Sequence, residues 1–264
     1  MALRIGSVPY LNAKPLVDWF HSPDCHADVE IVYAVPSALA TMLQERRLDV
    51  ANVSVFEALR NPNLVILPNI SISAHGSVKS VRLFAKKPLH ELTSVALDSS
   101  SLTSAALTRI LLAEQFGAHP HFVSHPPHLD RMLAQHDAAL IIGDLRLFEL
   151  LPGTLVYDLG RGWLDLTGLP FVYACWIAPQ ESVSEEMLAL LHHAKEWGLK
   201  NLDMLTTKWA HQLQIPFDRC WDYLHCVMNY DLTPNQIEGL KSFHQKCVQH
   251  DLLPPSSAIR LYTS

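Results

Sequence analysis

The stretch ISISAHGSVKSVRLFAK (70–86) alternates small, polar and β-branched residues and shows no helical periodicity. A second extended run, PFVYACWIAP (170–179), follows later in the chain, and residues 87–169 lie between the two. Each run is long enough to cross from one lobe to another. The economical assembly is therefore one lobe made of both chain ends, a second lobe made of the middle block, and these two strands as hinges.

Short apolar runs alternate with helix-like segments on both sides of the first extended run. Before it, strand-like segments at 3–8, 29–35 and 50–53 alternate with helix-like segments at 13–20 and 37–49. The middle block repeats the alternation at SVALD (94–98), a helical run over 102–116 and AALIIGD (138–144). This order predicts sheets of largely parallel strands, covered on both faces by crossover helices.

We therefore predict an α/β fold of the type 2 periplasmic-binding-protein kind, with two lobes joined by two hinge strands. Lobe one comprises residues 1–86 and 178–264, and lobe two comprises residues 87–177. From residue 183 onward the chain is mostly helical, with Thr233 as the N-cap and Pro234 as the first residue of one helix. This architecture leaves a ligand cleft between the lobes.

Composition limits the classes of function. The 264 residues are 49% hydrophobic and carry a net charge of −6, which disfavours both disorder and binding to nucleic acid. Neither a signal-peptide core nor a membrane span of about 18 apolar residues is visible. Five cysteines without a CxxC pair predict free thiols in a reducing compartment, so we expect a cytoplasmic protein.

The fifteen histidines do not form a recognisable metal motif. There is no HExxH, and the segment HPHFVSHPPH (119–128) contains three prolines, which disrupt helical ligand spacing. No GxxxxGK[ST] or GxGxxG sequence is present either. We expect neither a metal nor a cofactor.

Polar side chains follow three predicted strands, at the strand ends where α/β sheets bind ligands. The segments are PYLN (9–12), DSSSLTS (98–104) and GD (143–144). Five hydroxyls within residues 99–104 lie where a strand becomes a helix. One hydroxyl suffices to cap a helix, so this cluster favours a site for a carboxylate or phosphate.

The other polar residues each admit a structural explanation. Asn12 is a good helix cap, and Asp144 is either the cap of a helix beginning near residue 145 or a carboxylate able to accept a proton. Ser80 is by default a strand residue that faces solvent. Neither a nucleophile elbow nor an acyl-transfer triad is visible. The residues alone thus predict an anion-binding α/β protein with a cleft.

Six blocks of the sequence resemble one family, the chorismate dehydratases of the futalosine route to menaquinone. In order along nearly the whole chain, they are RIGSVPYLNAKPL (4–16), HGSVKSV (75–81), VALDSSSLTS (95–104), DAALIIGD (137–144), W-x-x-x-TGLPFVYACW (163–176) and YDLTPNQIEGLKSF (230–243). The family more often has Arg where this chain has Leu102. The anion is then left to hydroxyls and helix N–H groups.

The resemblance implies a cofactor-independent lyase that removes water from chorismate to give 3-[(1-carboxyvinyl)oxy]benzoate. It implies that Asn12 and Ser80 face the reacting carbons and that Ser100, Ser101, Thr103 and Ser104 bind a substrate carboxylate. The remaining residues that we place in the substrate site are Tyr10, Gly76 and Gly143. The proton is removed either by Asp144 or by the enolpyruvyl carboxylate of the substrate itself, and we favour the substrate.

Two alternatives share the same fold. A small-anion solute-binding protein would carry a signal or a lipoprotein cysteine near its start, and the sensor domain of a transcription regulator would carry a helix-turn-helix. The sequence shows neither feature, so the enzyme is the expected class. The oligomeric state is not predictable from the sequence.

Overall fold

The computed structural model describes residues 2–144 and 151–263 and contains two five-stranded sheets. The first sheet has the order β2-β1-β3-β10-β4, with strands β1 (Leu3–Ser7), β2 (Val29–Tyr33), β3 (Val50–Ser54), β4 (Leu64–Ala74) and β10 (Phe171–Pro179). The second has the order β7-β6-β8-β5-β9, with strands β5 (Val81–Ala85), β6 (Ser94–Asp98), β7 (His121–His125), β8 (Ala138–Ile142) and β9 (Leu155–Asp158). Each sheet is the centre of one lobe, so the predicted two-lobed α/β fold is confirmed.

Both sheets are mixed in strand direction. Strand β1 pairs in parallel with β2 and β3, and β6 pairs in parallel with β7 and β8. The strands next to the crossings between lobes, β5 and β10, pair antiparallel to their neighbours. The strands that carry the predicted site segments, β1, β6 and β8, are therefore in the parallel part of each sheet.

Ten α-helices cover the sheets in the described residues. They are α1 (Lys14–Val17), α2 (Pro36–Gln44), α3 (Val55–Arg60), α4 (Leu102–Phe116), α5 (Leu129–Gln135), α6 (Leu159–Thr167), α7 (Glu185–Lys200), α8 (Leu202–Leu213), α9 (Phe217–Asp222) and α10 (Pro234–Gln249). Helix α10 begins at Pro234 after Thr233, as predicted, although the Thr233 hydroxyl bonds the side chain of Gln236 instead of a backbone N–H. No helix of the described residues is both long and apolar enough to cross a membrane.

The extended run 70–86 is not one strand. It divides into the end of β4 and the whole of β5, and residues 75–80 form a loop in which Gly76 and Lys79 have positive φ angles. The cause lies far away in sequence. The Asp158 carboxylate accepts hydrogen bonds from the backbone N–H groups of Val78 and Lys79, at 3.0 and 2.7 Å. This folds the loop around the N-terminus of α6.

Strand pairing differs from the lobe boundaries expected at 86/87 and 177/178. The chain enters the second sheet with β5 and returns to the first with β10. The expected boundaries would leave β5 in lobe one and most of β10 in lobe two. An extended run in the sequence does not reveal which sheet supplies its partners, and here each crossing precedes the strand instead of following it.

Candidate active site

A narrow cavity with about 60 Å³ of free space lies between the two sheets. Its polar lining consists of Tyr10, Asn12, Ser54, Ser80, Ser101, Thr103, Ser104 and Tyr173, with Gly143 exposing backbone. Apolar residues complete the wall: Val8, Pro36, Ile72, Val78, Val81, Ile142 and Ala174. The described lining contains no charged side chain, so an anion bound here would rely on neutral donors.

The start of α4 provides a hydroxyl-rich wall, as the sequence predicted. Ser101 is the N-cap, and its hydroxyl accepts a hydrogen bond from the Ser104 N–H at 3.2 Å. Ser100 lies just behind the wall, where its N–H and hydroxyl both donate to the Asp98 carboxylate. Burial raises the pKa of Asp98, and these hydrogen bonds oppose that rise. Ser100 therefore supports the turn and is not part of the lining.

Thr103 joins the two lobes. Its hydroxyl donates to the backbone carbonyl of Tyr173 at 3.2 Å, bonds the hydroxyl of Ser54, and accepts from the Phe56 N–H at 3.4 Å. All three partners belong to the first lobe, whereas Thr103 belongs to the second. A hydroxyl has one donor and two acceptor positions, so these bonds use its full capacity. The expected contact between Thr103 and a substrate anion is not available in this arrangement of the lobes.

The Ser104 hydroxyl, unlike that of Thr103, is not used by the described residues of the protein. Its side chain is buried and lines the cavity, and within the described part of the chain its hydroxyl has no hydrogen-bond partner. It stands in the first turn of α4, where backbone N–H groups also point outward. Among the predicted anion ligands, the Ser104 hydroxyl and the proton of the Ser101 hydroxyl, which only accepts a bond, are thus left for a substrate.

Asn12 and Ser80 come together on one side of the cavity, although one belongs to each lobe. The fully buried Tyr223 lies behind them. Its hydroxyl donates to the Ser80 Oγ at 2.8 Å and is also hydrogen-bonded to the side chain of Asn12. The three side chains form a continuous set of bonds that we call the Asn12–Tyr223–Ser80 network. The default interpretation of Ser80 as a solvent-facing strand residue is wrong, because its exposure is 4%.

Asp144 ties the lobes from the end of β8. Its Oδ2 accepts a hydrogen bond from the Leu11 N–H at 2.8 Å, and Oδ1 is buried without a partner among the described residues. Burial raises the pKa of the carboxyl to about 6, opposed by the Leu11 hydrogen bond and the charge of Lys14. Asp144 is outside the described cavity lining. The helix expected to begin near residue 145 lies outside the described residues.

Gly143 and Tyr10 fit together across the lobes. Gly143 has a φ of +75°, and a Cβ there would lie 2.8 Å from the Tyr10 ring. Absence of a side chain thus lets the ring close over the end of β8, where its hydroxyl reaches Ser100. Gly76, by contrast, is buried against Gly160 of α6 and is not part of the described lining.

A model of one protein family, described as menaquinone biosynthesis, matches residues 3–249. The chain belongs to this menaquinone biosynthesis family. A chorismate dehydratase of Thermus thermophilus is 30% identical in an alignment 258 positions long, with 90% of this chain and 93% of the relative covered. The resemblance found in the sequence blocks is confirmed.

Solved structures agree on the fold of this family member. A protein of Archaeoglobus fulgidus superposes with a TM-score of 0.77 at 16% identity, covering 96% of this chain and 98% of its own. The periplasmic aliphatic sulphonate binding protein of Escherichia coli gives a TM-score of 0.67 at 17% identity, with 99% and 92% covered. These similarities confirm the periplasmic-binding-protein-like architecture.

Three residues that position the site were not found from the sequence. Tyr223 holds Asn12 and Ser80, Asp158 folds the loop that precedes Ser80, and Asp98 fixes the turn before α4. Asp98 ends the SVALD strand and directly precedes the hydroxyl cluster, so its position in the sequence could have indicated its role. The other two act on residues that are about 80 to 140 positions away, namely Ser77 to Lys79 and Ser80. No local pattern of this family member indicates such partners. No group of three potential metal-ligating side chains occurs within residues 2–144 and 151–263.

Proposed function

We propose that the protein is a chorismate dehydratase that converts chorismate to 3-[(1-carboxyvinyl)oxy]benzoate and water. The observation that carries the proposal is the similarity over nearly the whole chain to a chorismate dehydratase. The interlobe cavity supports it, because uncharged hydrogen-bond donors from both lobes line it. The reaction class is that of a carbon–oxygen lyase.

The reaction balances without a co-reactant. The C3–H bond breaks and leaves its electron pair on the ring, a base takes the proton, and the C4–O bond breaks as hydroxide departs. Proton and hydroxide together make the water that is lost, and the ring becomes aromatic. Aromatisation supplies the driving force, so we propose that the enzyme needs no metal or organic cofactor.

Ser104 and the first N–H groups of α4 are proposed to bind the ring carboxylate. Negative charge moves toward this carboxylate as the C3 proton leaves. Donors that are already oriented at the carboxylate stabilise that charge without reorganising, which is the most effective form of electrostatic catalysis. Ser101 supports the same wall as the N-cap of α4.

Asn12 and Ser80 are proposed to hold the reacting part of the substrate and the departing hydroxyl by hydrogen bonds. Both line the cavity, and they approach it from different lobes. Neither an amide nor an alcohol is a competent base at neutral pH. Their contribution is therefore orientation and stabilisation of the leaving group, which both depend on closure of the lobes.

We assign removal of the proton to the enolpyruvyl carboxylate of the substrate. Asp144 is the competing base, and a pKa near 6 would suit that task. However, one of its oxygens is committed to the Leu11 N–H, and the residue is not in the described cavity lining. These contacts favour a role in holding the lobes together, shared with Thr103.

The test is incubation of the purified full-length protein with chorismate, with chromatographic measurement of the enolpyruvyl benzoate, in the presence and absence of EDTA. We expect turnover that EDTA does not diminish. Binding of chorismate without turnover would overturn the proposal and would favour the alternative of an anion-binding or sensor protein on the same fold.

A further inference from the structure

The hydroxyl of Tyr223 occupies a position from which it determines how Asn12 and Ser80 present their polar atoms. Tyr223 is 0% exposed and is not part of the described cavity lining, whereas both of its partners are on the cavity wall. Since its hydroxyl bonds both residues, it joins a loop of the second lobe to the first helical turn of the first lobe.

The hydrogen bonds of the Asn12–Tyr223–Ser80 network have a fixed direction. Tyr223 donates its single proton to the Ser80 Oγ, so it can only accept from Asn12. The donor is the Asn12 amide nitrogen, in agreement with an Oδ1 that has no partner among the described residues. Hydrogen bonds connected in this way polarise one another and strengthen the set.

This direction gives the two cavity residues opposite roles. Because the Ser80 oxygen already accepts from Tyr223, its own proton remains available for an acceptor in the cavity. Because the Asn12 nitrogen already donates to Tyr223, its Oδ1 remains available as an acceptor. Without the Tyr223 hydroxyl, both side chains would be free to rotate into the reverse orientation.

The backbone at Tyr223 is unusual in a way that supports a specific placement. Residues Tyr223–Val227 form a π-helical turn directly after α9. Such turns are rare and often occur at functional sites, because the wider turn re-aims a side chain. Here the turn begins at the residue whose hydroxyl reaches both lobes.

We infer that Tyr223 is a positioning residue for the dehydration, one that orients Ser80 as a donor and Asn12 as an acceptor. The inference rests on the proposed function. Since the leaving group departs as hydroxide, the donor from Ser80 lies at the departing oxygen, and the acceptor from Asn12 holds a hydroxyl or C–H edge of the substrate. Tyr223 itself does not touch the substrate.

The test compares Tyr223→Phe with Tyr230→Phe in the full-length protein. Both residues are buried tyrosines, but the Tyr230 hydroxyl has no hydrogen-bond partner in the described part of the chain. We expect Tyr223→Phe to lower kcat at least about tenfold, with KM changed by less than about threefold. Tyr230→Phe should have the kcat of the wild type. Thermal melts of both variants report any loss of folded protein.

A double-mutant cycle separates positioning from a general structural role. If Tyr223 acts through Ser80, the kcat effect of Tyr223→Phe should be at least about threefold smaller in a Ser80→Ala background. An equal effect in both backgrounds, or a Tyr223→Phe variant that matches Tyr230→Phe, would overturn the inference while leaving the proposed function intact. A wild-type protein without turnover would overturn the proposed function, and the inference with it.

Discussion

The hydroxyl cluster at the start of α4 and the Asn12–Tyr223–Ser80 network are both made of uncharged polar side chains, but they are assembled in opposite ways. The cluster is local in sequence, from Ser100 to Ser104, and the hydroxyl protons of Ser100 and Thr103 are donated within the protein itself. The network joins positions 12, 80 and 223 and leaves one donor and one acceptor for the cavity. The hydroxyl cluster is thus visible in the sequence but is in part structural, whereas the network, which is not visible in the sequence, presents one donor and one acceptor of fixed direction to a ligand.

The comparison predicts that the network matters most for the rate. Replacing Asn12 by Ala removes the acceptor on the cavity wall and the donor to Tyr223. We expect kcat to fall by about 10²–10³-fold, the usual loss when one preoriented group at the reacting atoms is deleted. Steady-state kinetics with chorismate measure the effect.

The matched control is Asn52→Ala. Asn52 is a fully buried asparagine on β3 with an unpartnered side chain among the described residues, and it is not in the described lining. Any change in its thermal melt should come without a comparable loss of kcat. If Asn12→Ala kept kcat within about tenfold of the wild type, the network would not hold the reacting carbons.

The cluster should matter for binding and less for the rate. Ser104→Ala removes the cavity hydroxyl that has no hydrogen-bond partner in the described part of the chain. One lost hydrogen bond to a carboxylate is worth about 1.5–3 kcal/mol, so KM should rise about 10- to 100-fold. The effect on kcat should be smaller, because the carboxylate is bound in both the ground state and the transition state.

Thr108→Val serves as the comparison variant for Ser104→Ala. Thr108 is a buried residue one turn further along α4, and its hydroxyl donates to the Ser104 carbonyl. This variant deletes a hydroxyl of the same helix without opening the cavity wall, so its KM should stay at the wild-type value. An unchanged KM in Ser104→Ala would place the anion elsewhere in the cleft.

The same contrast explains how far the sequence could lead. Periodicity located β6 and α4 at the residues observed, Ser94–Asp98 and Leu102–Phe116, because these elements depend on local spacing and on a cap. It did not reveal the loop at 75–80, since that loop depends on Asp158. Long-range hydrogen bonds leave no local periodicity.

The site residues likewise divide into those that local sequence indicates and those that depend on long-range contacts. Ser104 and Ser101 could be found because several hydroxyls follow one strand, and Asn12 and Gly143 because they follow others. That Thr103 is fully bonded, or that Tyr223 lies behind Ser80, follows only from the packing of the two lobes. Sequence position thus predicts which wall a residue joins, but not whether its hydrogen bonds are already used.

The smallest expected effect on the rate concerns Asp144. If the substrate provides the base, Asp144→Asn should keep kcat within about tenfold, because the amide oxygen can still accept from the Leu11 N–H and the side chain has nearly the same size. If Asp144 is the base, the same change should cost about 10²–10⁴-fold. A loss above a hundredfold with an unchanged melt would overturn the substrate-assisted mechanism.

Stability against pH gives an independent measure of the same carboxyl. Burial raises its pKa from 3.8 to about 6, so between these values the folded state holds a proton that the unfolded state has released. The contribution of Asp144 to the free energy of unfolding therefore falls as pH rises through this window, by at most about 3 kcal/mol. Asparagine does not titrate, so urea unfolding should show the variant gaining stability relative to the wild type from pH 4 to pH 6.5. At higher pH the difference in the free energy of unfolding between the variant and the wild type should stay constant. Equal pH dependence in both proteins would mean that the Asp144 carboxyl is solvated. The carboxyl would then not be buried against the Leu11 N–H between the lobes.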